Sequence, residues 1–173
     1  MVERSGKAEE ILDAAERQAR SRGFNGFSFR DLAEAVEVKS ASVHYHFPTK
    51  ADLGAAVVAR YRERFLAALG DPESPGSLER YVAAYRKALV EDGQMCLCGL
   101  FGAEIEALPG EVALEVRRFF QDNLAWLERA LAPAGPDQAV LVLSALEGAL
   151  ILARSLERTE AFDQAAAALL VKH

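Results

Sequence analysis

Between Arg30 and Lys50 the chain gathers side chains suited to binding chemistry. Arg30, Lys39 and Lys50 are cations. Ser40 and Ser42 carry hydroxyls, and His44, Tyr45 and His46 carry rings with polar atoms. Ala41 leaves room for close approach. Drawn as a short helix over Ala41 to Phe47, the segment turns Val43 and Phe47 to one side, within about 40° of each other. Ala41, Ser42 and Tyr45 then face away, with His44 and His46 on the flanks. Such a face suits hydrogen bonding to base edges and phosphates in a major groove. His44 and His46 are two residues apart and on different sides of the helix, so they do not form a metal pair. The sequence holds no Gly-x-Ser-x-Gly elbow, no Walker loop and no metal-spaced histidine pair. It predicts neither catalytic residues, nor a metal, nor a cofactor.

The elements that must hold this segment read as helices throughout. Ser5 is placed to cap a first helix ending near Arg22, striped by Ile11, Leu12, Ala15 and Ala19, with Gly23 as its stop. Ser28 and Asp31 form a capping-box pattern, with Phe27 and Leu32 at the staple positions, so a second helix runs from about Phe29 to Val36. Ser40 is placed to cap the third, and Pro48 ends it. Thr49 with Asp52 caps a fourth, whose first backbone N–H groups, beside Lys50, offer a phosphate site. The second and third helices with their tight turn make a helix-turn-helix pattern. Further helices are predicted at about Ser77 to Asp92, Met95 to Leu108, from beyond the Pro109-Gly110 break to about Leu131, Asp137 to Leu156 and Glu160 to Val171. The fold class is all-α, about nine helices and no strand pattern.

Composition narrows the function classes. With 51% apolar and 27% charged residues in 173, the chain is globular rather than disordered. The net charge of −6 excludes a non-specific nucleic-acid coat. Charge is uneven, however. Residues 1–50 carry eight basic and eight acidic side chains, the remainder twelve and eighteen, and residues 17–50 alone are net +3. One short segment can therefore face phosphates while the rest repels them. Two cysteines make no disulfide framework and point to a reducing, cytoplasmic setting. Residues Met1 to Lys7 show no apolar signal region. The apolar run in the eighth helix, about 15 residues interrupted by Glu147, falls short of the roughly 20 that span a bilayer. It reads instead as a helix buried on two sides, one of them a partner subunit.

The stretch Phe29 to Leu53, with His44-Tyr45-His46-Phe47-Pro48 at its centre, resembles the signature of the TetR/AcrR family of one-component repressors. The resemblance implies an N-terminal three-helix DNA-binding domain, residues 1–50. It implies an effector-binding and dimerisation domain over 51–173, and a homodimer through the last two helices, about 137–171. It places DNA contacts at Arg30, Ser40, Ala41, Ser42, His44, Tyr45, His46 and Lys50; Lys39 is added for its charge and position. Two residues depart from the common pattern: Glu37 where a turn glycine is frequent, and His44 where tyrosine is frequent. The implied partners are an operator duplex and a small-molecule effector, with no membrane.

The family's effector site lies among the fifth to eighth helices. Candidates there are Tyr81, Tyr85, Met95, Cys96, Cys98, Phe101, Phe119, Asn123 and Trp126. Asn123 stands out as an amide on an apolar stripe, where it needs a partner. Glu104 and Glu147 are similar anomalies. Cys96 and Cys98, two apart on a helix, point about 200° away from each other and cannot readily pair. By themselves they read as packing residues, with a metal pair as the weaker alternative; the resemblance of Met95 to Gly99 to a motif of one branch of the family adds a thiol sensor of electrophiles. A helical interaction module whose helix-turn-helix no longer binds DNA is the alternative function.

Overall fold

The computed structural model describes residues 6–91 and 93–171. Ser5, read as the first cap, and Asp92, read as the end of the fifth helix, lie outside them. The described residues form nine α-helices and no strand. They are α1 Gly6–Arg22, α2 Phe29–Ala35, α3 Ser40–His46, α4 Lys50–Leu69, α5 Ser77–Val90, α6 Leu97–Ala103, α7 Gly110–Ala130, α8 Pro136–Ser155 and α9 Glu160–Leu170. Short 3-10 turns follow α1 at Phe24–Gly26 and α6 at Ile105–Ala107. The chain divides into two compact units. One runs to Tyr61 and takes in Leu97–Arg117; the other holds Arg62–Cys96 and Arg118 onward.

Local chemistry explains most boundaries in the first unit. Ser28 Oγ accepts from the Asp31 N–H while the Asp31 carboxylate accepts from the Ser28 N–H and hydroxyl, closing a capping box on α2. Thr49 and Asp52 repeat it on α4. The third helix begins one residue earlier than its sequence cap implied. Lys39 is its N-cap without a side-chain bond, and Ser40 is its first residue. The sixth helix is much shorter than read. It spans only Leu97–Ala103, so Cys96 precedes it and the two cysteines do not share a helix.

α2 ends in a Schellman motif. The Val38 N–H bonds the Ala33 carbonyl at 2.9 Å and the Glu37 N–H bonds Glu34 at 3.3 Å. This requires a left-handed residue at position 37, and Glu37 takes it, with φ at 54°. The turn into α3 is thus built as glycine would build it, with a side chain that disfavours the conformation. α1 is fastened to α4 by Arg60. Its guanidinium meets Glu9, Asp13 and Glu16 at 2.9, 2.8 and 3.2 Å. Ile11, Leu12, Leu32, Val43, Leu53 and Val58 fill the interior of this unit.

The second unit is a bundle in which α8 packs on α9 and α5. Arg86 reaches Asp163 at 2.8 Å and links α5 to α9. α8 buries Ala139, Val142, Leu143, Leu146, Ala149, Leu150 and Ala153, yet leaves Val140, Leu141, Ile151, Leu152 and Leu156 exposed. By length and composition alone this helix is able to cross a membrane, a test that a buried core helix passes as well. It starts at Pro136 after an N-cap at Gly135 and continues past Glu147 to Ser155, close to the bounds read from sequence.

Replacing Glu37 with glycine relieves about 1–2 kcal/mol of left-handed strain and adds about 0.4–1 kcal/mol of unfolded-chain entropy. Glu37→Gly is therefore expected to raise unfolding stability by somewhat under 1 kcal/mol. Urea denaturation checks this, and a loss of stability would count against the strain.

Candidate functional site

The polar face of α3 is displayed as its periodicity implied. Val43 and Phe47 are buried, while Tyr45 is 84% exposed. Ser40, Ala41 and His44 are exposed, and Ser42 and His46 half-buried. Arg30 on α2 and Lys39 before α3 are exposed too. Tyr45 and His46 meet edge to face, 5.1 Å between ring centroids. His44 packs on Phe29 and brings Nδ1 to 3.4 Å from the Pro48 carbonyl. This face offers hydroxyls, imidazoles and a phenol to a ligand, flanked by two free-standing cations.

Lys50 behaves differently from Arg30 and Lys39. Its ammonium donates to the Phe27 carbonyl and lies over the Phe24 and Phe27 rings, 4.9 and 4.5 Å from their centroids. Burial pulls its pKa below the ordinary lysine value, partly offset by Asp31. The N-terminus of α4 also differs from the open anion site the sequence suggested. Asp52 closes it with a carboxylate, negative charge where an anion would sit. Lys50 is thus first a fastening between α4 and the α1–α2 turn.

A second constellation lies inside the second unit. Tyr81 Oη donates to Asn123 Oδ1 at 2.8 Å, and Asn123 Nδ2 donates to the Phe119 carbonyl at 2.7 Å. The amide anomaly read from sequence therefore has a partner at both its oxygen and its nitrogen. Tyr81 stacks on Trp126, and Phe65 sits among Tyr81, Tyr85 and Phe119 at 5.5–5.9 Å. Tyr85 Oη donates to Glu147 Oε1 at 3.1 Å, and Glu147 Oε2 is buried without a hydrogen-bond partner. Burial raises the Glu147 carboxyl above its ordinary value, against opposing contacts with Cys96 and Tyr85. Burial likewise pushes the Tyr81 and Tyr85 phenols well up.

Of the nine residues predicted here, Tyr81, Tyr85, Phe119, Asn123 and Trp126 come together, and Cys96 joins them through Glu147. Met95 lies half-buried in the irregular segment before α6. Cys98 and Phe101 belong to the first unit, where Phe101 packs edge-on against Phe24. Phe65, at the centre of the ring cluster, was readable only as one more residue of the apolar stripe on α4. Both cysteines are buried, and no disulfide joins them. The surface cleft of about 690 Å³ between the 72–77 loop and the end of α7 touches none of the nine.

Residues 11–57 match the profile of bacterial regulatory proteins of the tetR family. The HTH-type transcriptional repressor DhaR of Mycobacterium sp. (strain GP1) is 32% identical over 106 residues, 58% of this chain and 52% of that protein. The match thus spans about half the length of that repressor. A TetR transcriptional regulator from Legionella pneumophila superposes with a TM-score of 0.88 at 29% identity, covering 99% of both chains. A TetR-family regulator from Agrobacterium tumefaciens gives 0.85 at 29%, covering 96% of both.

The buried acid carries a pH signature. A carboxyl raised in the folded state contributes stability that is full below its unfolded value of 4.5 and is lost as pH rises through the folded value. Relative to a Glu147→Gln variant, the wild-type protein is expected to lose unfolding free energy from pH 4.5 upward. Paired denaturation series from pH 4 to 8 (roughly the carboxyl-to-neutral range) check it; a difference independent of pH would overturn it.

Proposed function

The chain belongs to the TetR family of bacterial regulatory proteins, and on that premise we propose that it is a cytoplasmic, DNA-binding transcriptional repressor released by a small-molecule effector. The observation that carries this reading is the exposed polar face of α3, set on a buried Val43–Phe47 side and preceded by a tight turn. Residues 1–50 act as the DNA-binding domain, and 51–173 hold the effector and the dimer contact. Ser42, His44 and Tyr45 approach base edges. Arg30, Lys39, Ser40 and His46 hold the backbone, and Lys50 positions the helix as well as adding charge.

Repression needs two copies, because a palindromic operator presents half-sites about 34 Å apart. The exposed stripe on α8 supports pairing through the last two helices, about 137–171. Val140 and Leu141 lie three turns before Ile151 and Leu152 on the same face, with Ser144 and Gly148 between them. Large apolar residues at both ends and small ones in the middle let a second helix cross closely. A two-fold contact then covers the stripe with its own copy.

The effector binds among Tyr81, Tyr85, Phe119, Asn123 and Trp126, and shifts the dimer only by its differential affinity for the two states. No part of this reading requires turnover of a substrate. Selection of genomic fragments by the purified protein tests it, under reducing conditions at stated salt. Enrichment of one palindrome is expected, and sequence-blind retention would overturn it.

On that operator, Lys39→Ala is expected to reduce the slope of log affinity against log salt by about 0.9, as one phosphate contact does. An unchanged slope in a filter-binding series would remove Lys39 from the interface. Leu152→Glu places a charge in the apolar stripe. It is expected to give a folded monomer by light scattering, with operator affinity lost; a dimer of undiminished affinity would move the interface elsewhere.

A further inference from the structure

His44 is distinguished on α3 by being held. Its ring meets Phe29 at 4.6 Å between centroids with planes at 63°, and its Nδ1 lies 3.4 Å from the Pro48 carbonyl oxygen. A carbonyl oxygen can only accept. The contact is therefore a hydrogen bond only when Nδ1 carries the proton. A neutral imidazole has one N–H, so Nε2 is then a bare acceptor. Nε2 is at the far end of an exposed side chain, and among the described residues nothing bonds to it. Two contacts, one to a ring and one to the backbone, give its lone pair a fixed direction.

The other polar groups of α3 lack this character. Ser40, Ser42 and Tyr45 carry hydroxyls that rotate and both donate and accept. His46 packs on Tyr45 with no carbonyl contact that selects its tautomer. In the major groove, cytosine N4 and adenine N6 are donors, whereas guanine presents N7 and O6, and thymine O4, as acceptors. We propose that His44 is a specificity-determining residue of α3: a tautomer-fixed hydrogen-bond acceptor that selects an amino-bearing base, cytosine or adenine, at one position of each half-site. The inference rests on the reading of α3 as the DNA-facing helix, and adds which chemical feature one side chain reads.

Two measurements separate failure of the inference from failure of that reading. The first needs no DNA. Long-range proton–nitrogen correlation spectra of histidine-labelled full-length protein at about pH 8, above the ordinary imidazole range, report the tautomer. The chain has only three histidines, and the His44→Phe spectrum identifies the signal. A protonated Nδ1 and a pyridine-like Nε2 are expected. An Nε2–H tautomer overturns the proposal.

The second selects randomised palindromic duplexes with wild type and His44→Phe, which keeps a ring against Phe29 and removes the acceptor. Wild type is expected to prefer cytosine or adenine at one position by about tenfold, near the lower end of base discrimination. His44→Phe should bind the rest of the site and lose that preference. His44→Gln, whose amide both donates and accepts, should broaden it, and serves if the phenylalanine variant does not fold. A preference unchanged in both variants overturns the proposal. Sequence-blind binding by wild type overturns the DNA reading and the proposal with it, and an Nδ1–H spectrum would then place the failure in the DNA reading.

Discussion

The first unit depends on how one aromatic residue is enclosed. Phe24 follows one residue after α1, and four residues meet it, Phe27 nearby and Lys50, Phe101 and Glu104 from farther along the chain. Its N–H is taken by the Glu104 carboxylate at 3.2 Å, its ring meets Phe101 and Phe27, and the Lys50 ammonium lies over its face. Two glycines make the enclosure possible. A Cβ on Gly54 would stand 2.6 Å from the Phe24 ring, and one on Gly23 would stand 2.2 Å from the Glu104 carboxylate. The Phe24 backbone donor is thereby satisfied at a point where α1 can no longer supply a carbonyl. Because Lys50 begins α4 and Phe27 precedes α2, the same contacts set the separation of these two helices, between which α3 must lie.

The second unit meets an opposite constraint, polar atoms that must live in an apolar interior. Tyr81 and Asn123 solve it in the main by a relay ending on a backbone carbonyl, which uses the phenol proton, the amide oxygen and one of the two amide protons. Tyr85 and Glu147 solve it only by half, since one carboxyl oxygen is left without a partner. A charge there would be costly to desolvate, which is why burial favours the neutral acid. The ring cluster around Phe65 adds edge-to-face contacts but no donor for that oxygen. The relay is largely satisfied while Glu147 is not. Within this unit the unmet hydrogen-bonding capacity is therefore concentrated at Glu147, whose neutral acid would offer its O–H to an acceptor.

Features of short range were legible in the sequence, and features of long range were not. Both capping boxes follow from residues three apart, and both formed. The α3 face followed from periodicity. Glu37 was visible as an unusual turn residue, and the structure shows that the turn keeps its left-handed geometry around it. The fate of Lys50 was not legible. It turns on a carbonyl 23 residues earlier and on rings placed by the enclosure of Phe24. Phe101 was grouped with the effector candidates because the family resemblance points to the fifth to eighth helices, but it packs against Phe24 in the first unit, a contact 77 residues apart in sequence. Phe65 was hidden because core and ligand-facing aromatics share the same spacing.

The neutral balance of residues 1–50 argued against DNA binding, and the structure weakens that argument residue by residue. Glu9, Asp13 and Glu16 converge on Arg60, a cation from beyond the segment that the first fifty residues do not count. Glu10 pairs with Lys7 at 2.6 Å, and Asp31 is committed to its capping box. Charges closer together than a Debye length of about 10 Å largely cancel as seen by a phosphate farther away. Among the described residues around α3, Lys39 and Arg30, which also neighbours Asp31, then face Glu34 and Glu37. On the proposed reading of α3 as the DNA-facing helix, this charge balance attracts a duplex only weakly, and the direct contacts of the α3 face then carry a larger share of the affinity than in a basic protein.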